Sequence, residues 1–223
     1  MSMRLKTVEF VCSGNQGRSP LAQLMAENHI QDKGIHGLSA ASSGTLVEIL
    51  LGNKHGTTPF EAGRAKWFIE LGLKAGVYSG DDKKTAERVV AAEQVDARSP
   101  VVIGLTRKAQ FVLDAEEEEH RGLAVVKFNL RGSIKTVREQ TTVRRGAIAV
   151  LGMSEANADA IRDIYSEQNK RPVITTVTGF TTGQGAEPIP DAIGKGGKAY
   201  FEMAEVLRDQ TRKAVEKAAE GVA

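Results

Sequence analysis

The sequence predicts an α/β fold, a doubly wound and mostly parallel sheet with helices on both faces. Short apolar, β-branched runs alternate along the chain with segments of helical periodicity. The later runs are almost continuously apolar, which is typical of parallel strands that are covered on both faces. A glycine-rich turn follows the first run, where such folds connect their first strand to a helix. The length of 223 residues favours a single domain.

The first half of the chain begins with a predicted strand, turn, helix and second strand. Pro20 suits the first turn of the first helix and Gly34 suits its end. The predicted elements of this half are strand Thr7–Cys12, helix Arg18 to about Asp32, strand Ile35–Ala41, an irregular stretch Leu46–Thr58, helix Pro59–Leu73 and helix Lys83–Val95.

The second half contains two predicted strand–helix–strand units. They are strand Pro100–Leu105, helix Arg107–His120 and strand Ala124–Phe128, then strand Ala147–Leu151, helix Ser154–Asn169 and strand Val173–Val177. Between the two units, Leu130–Arg145 is charged and poor in apolar residues, which predicts an exposed excursion. A glycine-rich loop, Gly179–Gly197, precedes a long final helix that ends at about Ala219.

Composition limits the classes of function. The formal net charge is only +2, which does not indicate a nucleic-acid partner. No apolar run is long enough to span a membrane, and the first residues lack the features of a signal peptide, so we expect a cytoplasmic protein. The single cysteine excludes an intramolecular disulfide and a cysteine metal cluster, and the four histidines are scattered. We therefore expect neither a metal nor a cofactor.

The segment from Cys12 to Arg18 has the composition of an anion-binding loop. Its small residues let backbone N–H groups face inward, and Asn15 tolerates a left-handed conformation. These small residues are Ser13, Gly14 and Gly17. The following helix directs its positive end at the loop, and the fork of Arg18 matches two phosphoryl oxygens. The pattern predicts a site for a phosphate-sized dianion.

The same positive field stabilises a thiolate at Cys12, and the hydroxyl of Ser19 lies close enough in sequence to donate to the sulfur. The implied reaction has two steps: Cys12 attacks phosphorus to form a phosphocysteine, and water then hydrolyses it. The leaving oxygen needs a general acid. The spacing of Cys12 and Arg18 alone also occurs by chance. In that case Cys12 would be an ordinary buried cysteine and Arg18 an ordinary solvated arginine. The complete string Val11–Pro20 between a strand and a helix is far more specific.

That string resembles the signature of the low-molecular-weight protein tyrosine phosphatases, V-C-x-G-N-x-C-R-S-P. Ser42–Thr45 is similar to the S-A-G-T that follows the family's second strand. Ala147–Met153 resembles the strand before the acid loop, and Ile189–Gly194 resembles that loop itself. The resemblance covers about residues 5–75 and 145–220, and it implies the family's flavodoxin-like sheet.

The resemblance also implies a role for each residue of the site. Cys12 would be the nucleophile, Arg18 the phosphate clamp and Asp191 the general acid. Ser19 would be the partner of the thiolate. The loop residues that would bind the phosphoryl group are Ser13, Gly14, Asn15, Gln16 and Gly17.

Three positions depart from the family pattern. Gly17 replaces the family's second loop cysteine, which leaves Cys12 without a protecting thiol and argues against the related arsenate reductases. Ala192 replaces the proline after the acid. Gln16 stands where apolar residues accompany phosphotyrosine and threonine accompanies phosphoarginine, and it indicates neither substrate.

We predict one phosphatase-like domain over residues 1–223 with an inserted segment at about 78–145. The predicted function is hydrolysis of phosphomonoesters, with a phosphorylated protein or a small aryl phosphate as substrate and phosphotyrosine as the default. A phosphatase for phosphoarginine or another non-tyrosine substrate is an alternative. A non-catalytic anion-binding or interaction protein is a further one. The sequence does not indicate an oligomeric state.

Overall fold

The computed structural model describes residues 5–51, 59–184 and 187–221, with only the backbone of residues 59 and 60. Four strands form one sheet in the order β2-β1-β3-β4, and all three pairings are parallel. The strands are β1 Lys6–Cys12, β2 Leu38–Gly44, β3 Ala147–Gly152 and β4 Val173–Thr176. The predicted parallel α/β sheet is confirmed.

The helices of the described residues are α1 Arg18–Lys33, α2 Val47–Leu50, α3 Pro59–Lys74, α4 Gly80–Ala91, α5 Pro100–Lys127, α6 Glu155–Ile164, α7 Val177–Thr182 and α8 Gly196–Glu220. As predicted, α1 ends at Gly34, which adopts the left-handed conformation with φ 60°. Of the stretch predicted to be irregular, Val47–Leu50 forms the short helix α2, and the part from residue 52 to 58 lies outside the described residues.

The chain divides into two compact units. Unit 1 contains the sheet and comprises the described residues up to Val47, His120–Ala192 and those from Gly197 onward. Unit 2 comprises Glu48–Glu119 and Ile193–Gly196. A single domain with an insertion at about 78–145 stays a prediction, because unit 2 has other bounds and residues 120–145 belong to the unit that holds the sheet.

Helices cover both faces of the sheet in unit 1. Side chains alternate along a strand, so Val8, Phe10 and Cys12 of β1 lie on one face, where they pack in a core with apolar residues of α1 and α8. Val11 lies on the other face and packs against residues of α6. The predicted covering of both faces is confirmed.

The two predicted strands Pro100–Leu105 and Ala124–Phe128 are wrong. Together with the predicted helix between them they form one helix of 28 residues, α5. In its unit 2 part, the buried residues recur every three or four positions and so lie on one helical face: Val102, Leu105, Ala109 and Leu113. Short apolar runs do not distinguish a strand from a buried helix by composition alone, which explains the error.

Several bounds also differ from the prediction. Strand β2 begins three residues later, after Gly37 with φ 77°, and runs to Gly44. Helix α6 ends at Ile164 instead of Asn169. Helix α7, which was not predicted, begins within the last predicted strand and extends into the glycine-rich loop. There the hydroxyl of Thr176 accepts a hydrogen bond from the N–H of Gly179 and caps it.

Residues 130–146, here called the connecting segment, are not simply the exposed excursion that the sequence predicted. The side chain of Asn28 on α1 donates to the carbonyl of Arg131 and accepts from its N–H. Further along, Arg144 forms an ion pair of 3.0 Å with Glu9, whose carboxylate is buried in β1. The segment is therefore held against unit 1 at both ends.

Tyr78 provides a test of the packing in unit 2. Its buried hydroxyl donates to the carbonyl of Leu105 at 2.8 Å. Burial disfavours the phenolate and, with a smaller effect from the charge of Asp82, raises the pKa of Tyr78 to about 12. A phenol whose pKa rises on folding contributes its full stabilisation at pH values below the pKa of tyrosine in the unfolded chain, about 10. This contribution is lost as the pH rises through about 12.

We expect the difference between the ultraviolet phenolate titrations of the folded wild type and Tyr78→Phe to show one group that ionises near pH 12. In denaturant the same difference should move to about pH 10, the ordinary value of tyrosine. A difference near pH 10 in the folded protein would show that Tyr78 is not buried as described.

Candidate active site

The loop between β1 and α1 lies where the sequence predicted it. Strand β1 ends at Cys12, and α1 begins at Arg18. Because β1 lies between β2 and β3, the loop sits at the carboxyl edge of the sheet and is flanked by the ends of both neighbours. Cys12 itself is 4% exposed. The sulfur therefore lies almost completely below the surface, at the end of β1.

The start of α1 leaves backbone donors available to a ligand. The first amide that binds a carbonyl of its own helix turn is that of Leu21, which donates to Gly17. Pro20 has no N–H, and no side chain caps the helix at Gly17. The amides of Arg18 and Ser19 precede this first helical donor, and the positive end of the helix dipole lies beside them.

Asn15 holds the shape of the loop. Its backbone is left-handed with φ 49°, and its side chain is buried. The amide nitrogen donates to the hydroxyl of Ser19 at 3.1 Å, and the amide oxygen accepts from the N–H of Glu139 at 2.9 Å. These two bonds, one to α1 and one to the connecting segment, stabilise a conformation that most residues avoid.

The sulfur of Cys12 lies 3.0 Å from the hydroxyl oxygen of Ser19, which is also 3.1 Å from the carbonyl oxygen of Ser43. Ser19 has one hydroxyl proton for these two acceptors. While Cys12 is a thiol, its S–H donates to Ser19, and Ser19 donates to Ser43. Once Cys12 loses its proton, the serine proton turns toward the sulfur. The arrangement accommodates both states of Cys12 without moving a heavy atom.

Contacts of Gly44 explain why the second strand ends in a residue without a side chain. A Cβ atom on Gly44 would lie 2.6 Å from the nitrogen of Asn15 and 2.7 Å from the carbonyl oxygen of Ser13. Both are backbone atoms of the loop, so neither could turn away. Gly44 also binds the connecting segment, since its N–H donates to Glu139 at 2.8 Å and its carbonyl accepts from Thr141 at 2.9 Å.

The structure adds residues that the sequence did not single out. Thr141 shares a hydrogen bond of 2.9 Å with the hydroxyl of Ser43, and both are buried. On the other side of the loop, the side-chain nitrogen of Asn157 donates to the hydroxyl of Ser13 at 3.4 Å. Ser154, the N-cap of α6, signals where that helix begins, but no sequence pattern connects it to the loop.

Asp191, the predicted general acid, contacts Arg18, the predicted phosphate clamp. One terminal nitrogen of Arg18 forms an ion pair of 2.7 Å with Asp191, and the other donates to the carbonyl of Ile189 at 2.9 Å. The side chain of Arg18 is 12% exposed and that of Asp191 is 45% exposed. The Asp191 loop is fixed by Ile189, which is buried and donates its N–H to Met153. The roles of these residues stay predictions.

The part of the chain that the structure describes contains neither a metal-binding cluster nor a helix that could span a membrane. No group of three or more potential ligands among histidine, cysteine, aspartate and glutamate in that part of the chain is arranged to hold a metal ion. None of its helices combines the length and apolar character needed to cross a membrane.

Residues 7–59 match the model of the family described as low molecular weight phosphotyrosine protein phosphatase. The matched stretch includes β1, the loop, α1 and β2, and the match confirms the resemblance that the loop sequence predicted. No curated protein sequence matches the chain.

Solved structures of phosphatases share the fold. A protein tyrosine phosphatase from Entamoeba histolytica is 15% identical with a TM-score of 0.57, covering 98% of this chain and 99% of that one. A low molecular weight protein tyrosine phosphatase from T. tengcongensis is 19% identical with a TM-score of 0.53, covering 95% and 99%. The arginine phosphatase YwlE, in a variant with a phosphorylated active-site serine, is 14% identical with a TM-score of 0.55, covering 94% and 93%.

The contact of Gly44 with the loop leads to a direct test. We expect Gly44→Ala to fold but to bind inorganic phosphate at least tenfold more weakly, on the order of one hydrogen bond to a charged group. The added Cβ displaces the backbone at Asn15. Isothermal titration calorimetry measures the affinity, and circular dichroism reports the fold.

The matched control is Gly63→Ala on α3, where a Cβ would meet nothing within 4 Å. It should leave phosphate affinity unchanged. Equal affinity in wild type and Gly44→Ala would mean that the loop tolerates the displacement and is not held as tightly as described.

Proposed function

We propose that this chain is a cysteine-dependent phosphatase of the low-molecular-weight type, which hydrolyses phosphomonoesters through a phosphocysteine intermediate. One observation carries the proposal: the sulfur of Cys12 lies 3.0 Å from the hydroxyl of Ser19, and the neighbouring Arg18 forms an ion pair of 2.7 Å with Asp191. The proposed nucleophile, anion clamp and proton donor are thus linked by contacts of the first residues of α1. The family match over residues 7–59 supports this chemistry.

Substrate binding begins with an exchange at Arg18. Both terminal nitrogens of its guanidinium bind the Asp191 loop in the structure. A phosphoryl group offers the same fork two oxygens and more negative charge than a single carboxylate. The phosphate therefore displaces Asp191 from Arg18, and the released carboxyl group stays at the exposed rim where the leaving group departs.

In the first chemical step the Cys12 thiolate attacks phosphorus. The S–P bond forms while the bond from phosphorus to the leaving oxygen breaks, and protonated Asp191 gives that oxygen its proton. In the second step water attacks phosphorus, Asp191 takes its proton and the S–P bond breaks. Inorganic phosphate leaves, and the thiolate is restored with Ser19 as hydrogen-bond donor.

The proposed substrate is a phosphorylated protein or a small aryl phosphate, with phosphotyrosine as the default. Phosphoarginine is the second candidate, because the chain shares its fold with a protein described as an arginine phosphatase. Gln16, the loop residue that would face the group beyond the phosphate, is largely buried and favours neither. A thiol nucleophile has to stay reduced, which supports a cytoplasmic location as part of this proposal.

Cys12→Ser and Asp191→Asn test the two chemical roles with p-nitrophenyl phosphate. We expect Cys12→Ser to lose all measurable turnover, because it removes the nucleophile. Asp191→Asn should lower kcat by about 10² to 10⁴, the usual contribution of a general acid. It should bind inorganic phosphate at least as tightly as wild type, because Arg18 loses its internal competitor.

The leaving group distinguishes an acid from a residue that only positions Arg18. Phenol leaves less readily than p-nitrophenol and depends more on protonation, so Asp191→Asn should impair phenyl phosphate more severely. Asp163→Asn, at an exposed position on α6, is the control and should match wild type. An inactive wild type that still binds phosphate would favour a non-catalytic anion-binding protein.

A comparison of two phosphorylated peptides, each assayed alone, decides between the two substrate candidates. We expect the kcat/KM of the wild type for a phosphotyrosyl peptide to exceed that for the same peptide with phosphoarginine, because phosphotyrosine is the proposed default substrate. Release of inorganic phosphate measures both. The reverse order would assign the chain to the second candidate and leave the phosphocysteine chemistry intact.

A further inference from the structure

Arg121 is a second arginine beside the phosphate-binding loop. It lies in the part of α5 that belongs to unit 1, and it is 8% exposed. One of its terminal nitrogens donates to the carbonyl oxygen of Gln16 at 2.7 Å, while its Nε has no hydrogen-bond partner among the described residues. Arg121 stands inside the predicted insertion, outside the part of the chain that resembles the family.

The charge of Arg121 is not balanced by a carboxylate. Arg18 pairs with Asp191 and Arg144 pairs with Glu9, but Arg121 has no ion pair within the described parts of the chain. A buried charge without an opposite charge is costly, because it has lost water and gained little in return. An anion bound in the adjacent loop would reduce this cost, so the empty protein favours such a ligand.

The hydrogen bond to Gln16 also orients a donor of the loop. The carbonyl of Gln16 and the N–H of Gly17 belong to one trans peptide and point in opposite directions. With the carbonyl held by Arg121, that N–H is directed away from the guanidinium. A charged donor on a carbonyl polarises its peptide, and the N–H becomes a stronger donor in turn.

We propose that Arg121 is a positioning residue that orients and polarises the peptide between Gln16 and Gly17 for a phosphoryl group. It acts through the loop backbone, whereas Arg18 touches the phosphoryl oxygens directly. The inference rests on the proposed function in that the ligand is a phosphoryl group at this loop. The helix that carries Arg121 thereby adds a group to the site that the loop sequence does not contain.

Three variants separate the hydrogen bond from the charge. Arg121→Met removes both, Arg121→Gln keeps a neutral donor, and Arg121→Lys keeps the charge and a donor. We expect Arg121→Met to bind inorganic phosphate at least tenfold more weakly at constant ionic strength, with a matching loss of kcat/KM. Arg121→Lys should stay within about threefold of wild type, and Arg121→Gln should lie between them.

Lys127→Met is the control for a general loss of positive charge. Lys127 lies on the same helix but is exposed and pairs with Glu205. It should leave phosphate affinity unchanged. A purely structural role for Arg121 would lower the unfolding temperature of the variants without changing phosphate affinity below that temperature, and this result would overturn the proposal.

The failure of this inference is distinguishable from the failure of the proposed function. A wild type without turnover whose phosphate affinity still depends on Arg121 would refute the phosphatase and retain the positioning role. An active wild type whose phosphate affinity is unchanged in Arg121→Met would support the phosphatase and refute the positioning role. If Arg121→Met does not fold, wild-type affinity in Arg121→Gln contradicts the proposal.

Discussion

The candidate site depends on the two hydrogen bonds that the side chain of Asn15 makes across the loop between β1 and α1. A loop whose amides converge on one point is unfavourable when empty, because like ends of peptide dipoles approach each other. The left-handed backbone at Asn15 adds strain. The bonds to Ser19 and Glu139 hold this arrangement in advance of any ligand. Gly44, packed against the same residue, leaves the loop no room to relax toward β2.

The part of the site that is local in sequence could be predicted, and the part that is distant could not. Cys12 and Arg18 are positioned by a strand end and a helix start, both of which have local signals. Glu139 and Arg121 reach the loop from segments that carry no motif. Asp191 was predicted only through the family resemblance. The misassigned start of α5 has a similar origin, since a short apolar run is compatible with a strand or a buried helix until its partners are known.

The two arginines at the loop illustrate two ways of holding positive charge near an anion. Arg18 is partly accessible and is neutralised by Asp191 in the structure, and in the proposed mechanism it exchanges this partner for the ligand. Arg121 is buried, has no opposite charge in the described regions and binds only a carbonyl. The first is available to a ligand at the cost of a competing ion pair. In our proposal the second acts through the peptide that it binds, without a change of partner.

The contacts that fix the loop join residues far apart along the chain. Asn15 and Glu139 are separated by 124 positions, Ser13 and Asn157 by 144, and Arg18 and Asp191 by 173. Closing such long loops costs entropy that only the assembled sheet repays. During refolding or synthesis, the loop therefore acquires its final shape after β3 and the connecting segment have joined β1 and β2. A chain that has formed only its first strand, helix and second strand contains Cys12 and Arg18 but lacks the contacts from Glu139, Asn157 and Asp191, so ligand binding would report that these distant segments are in place.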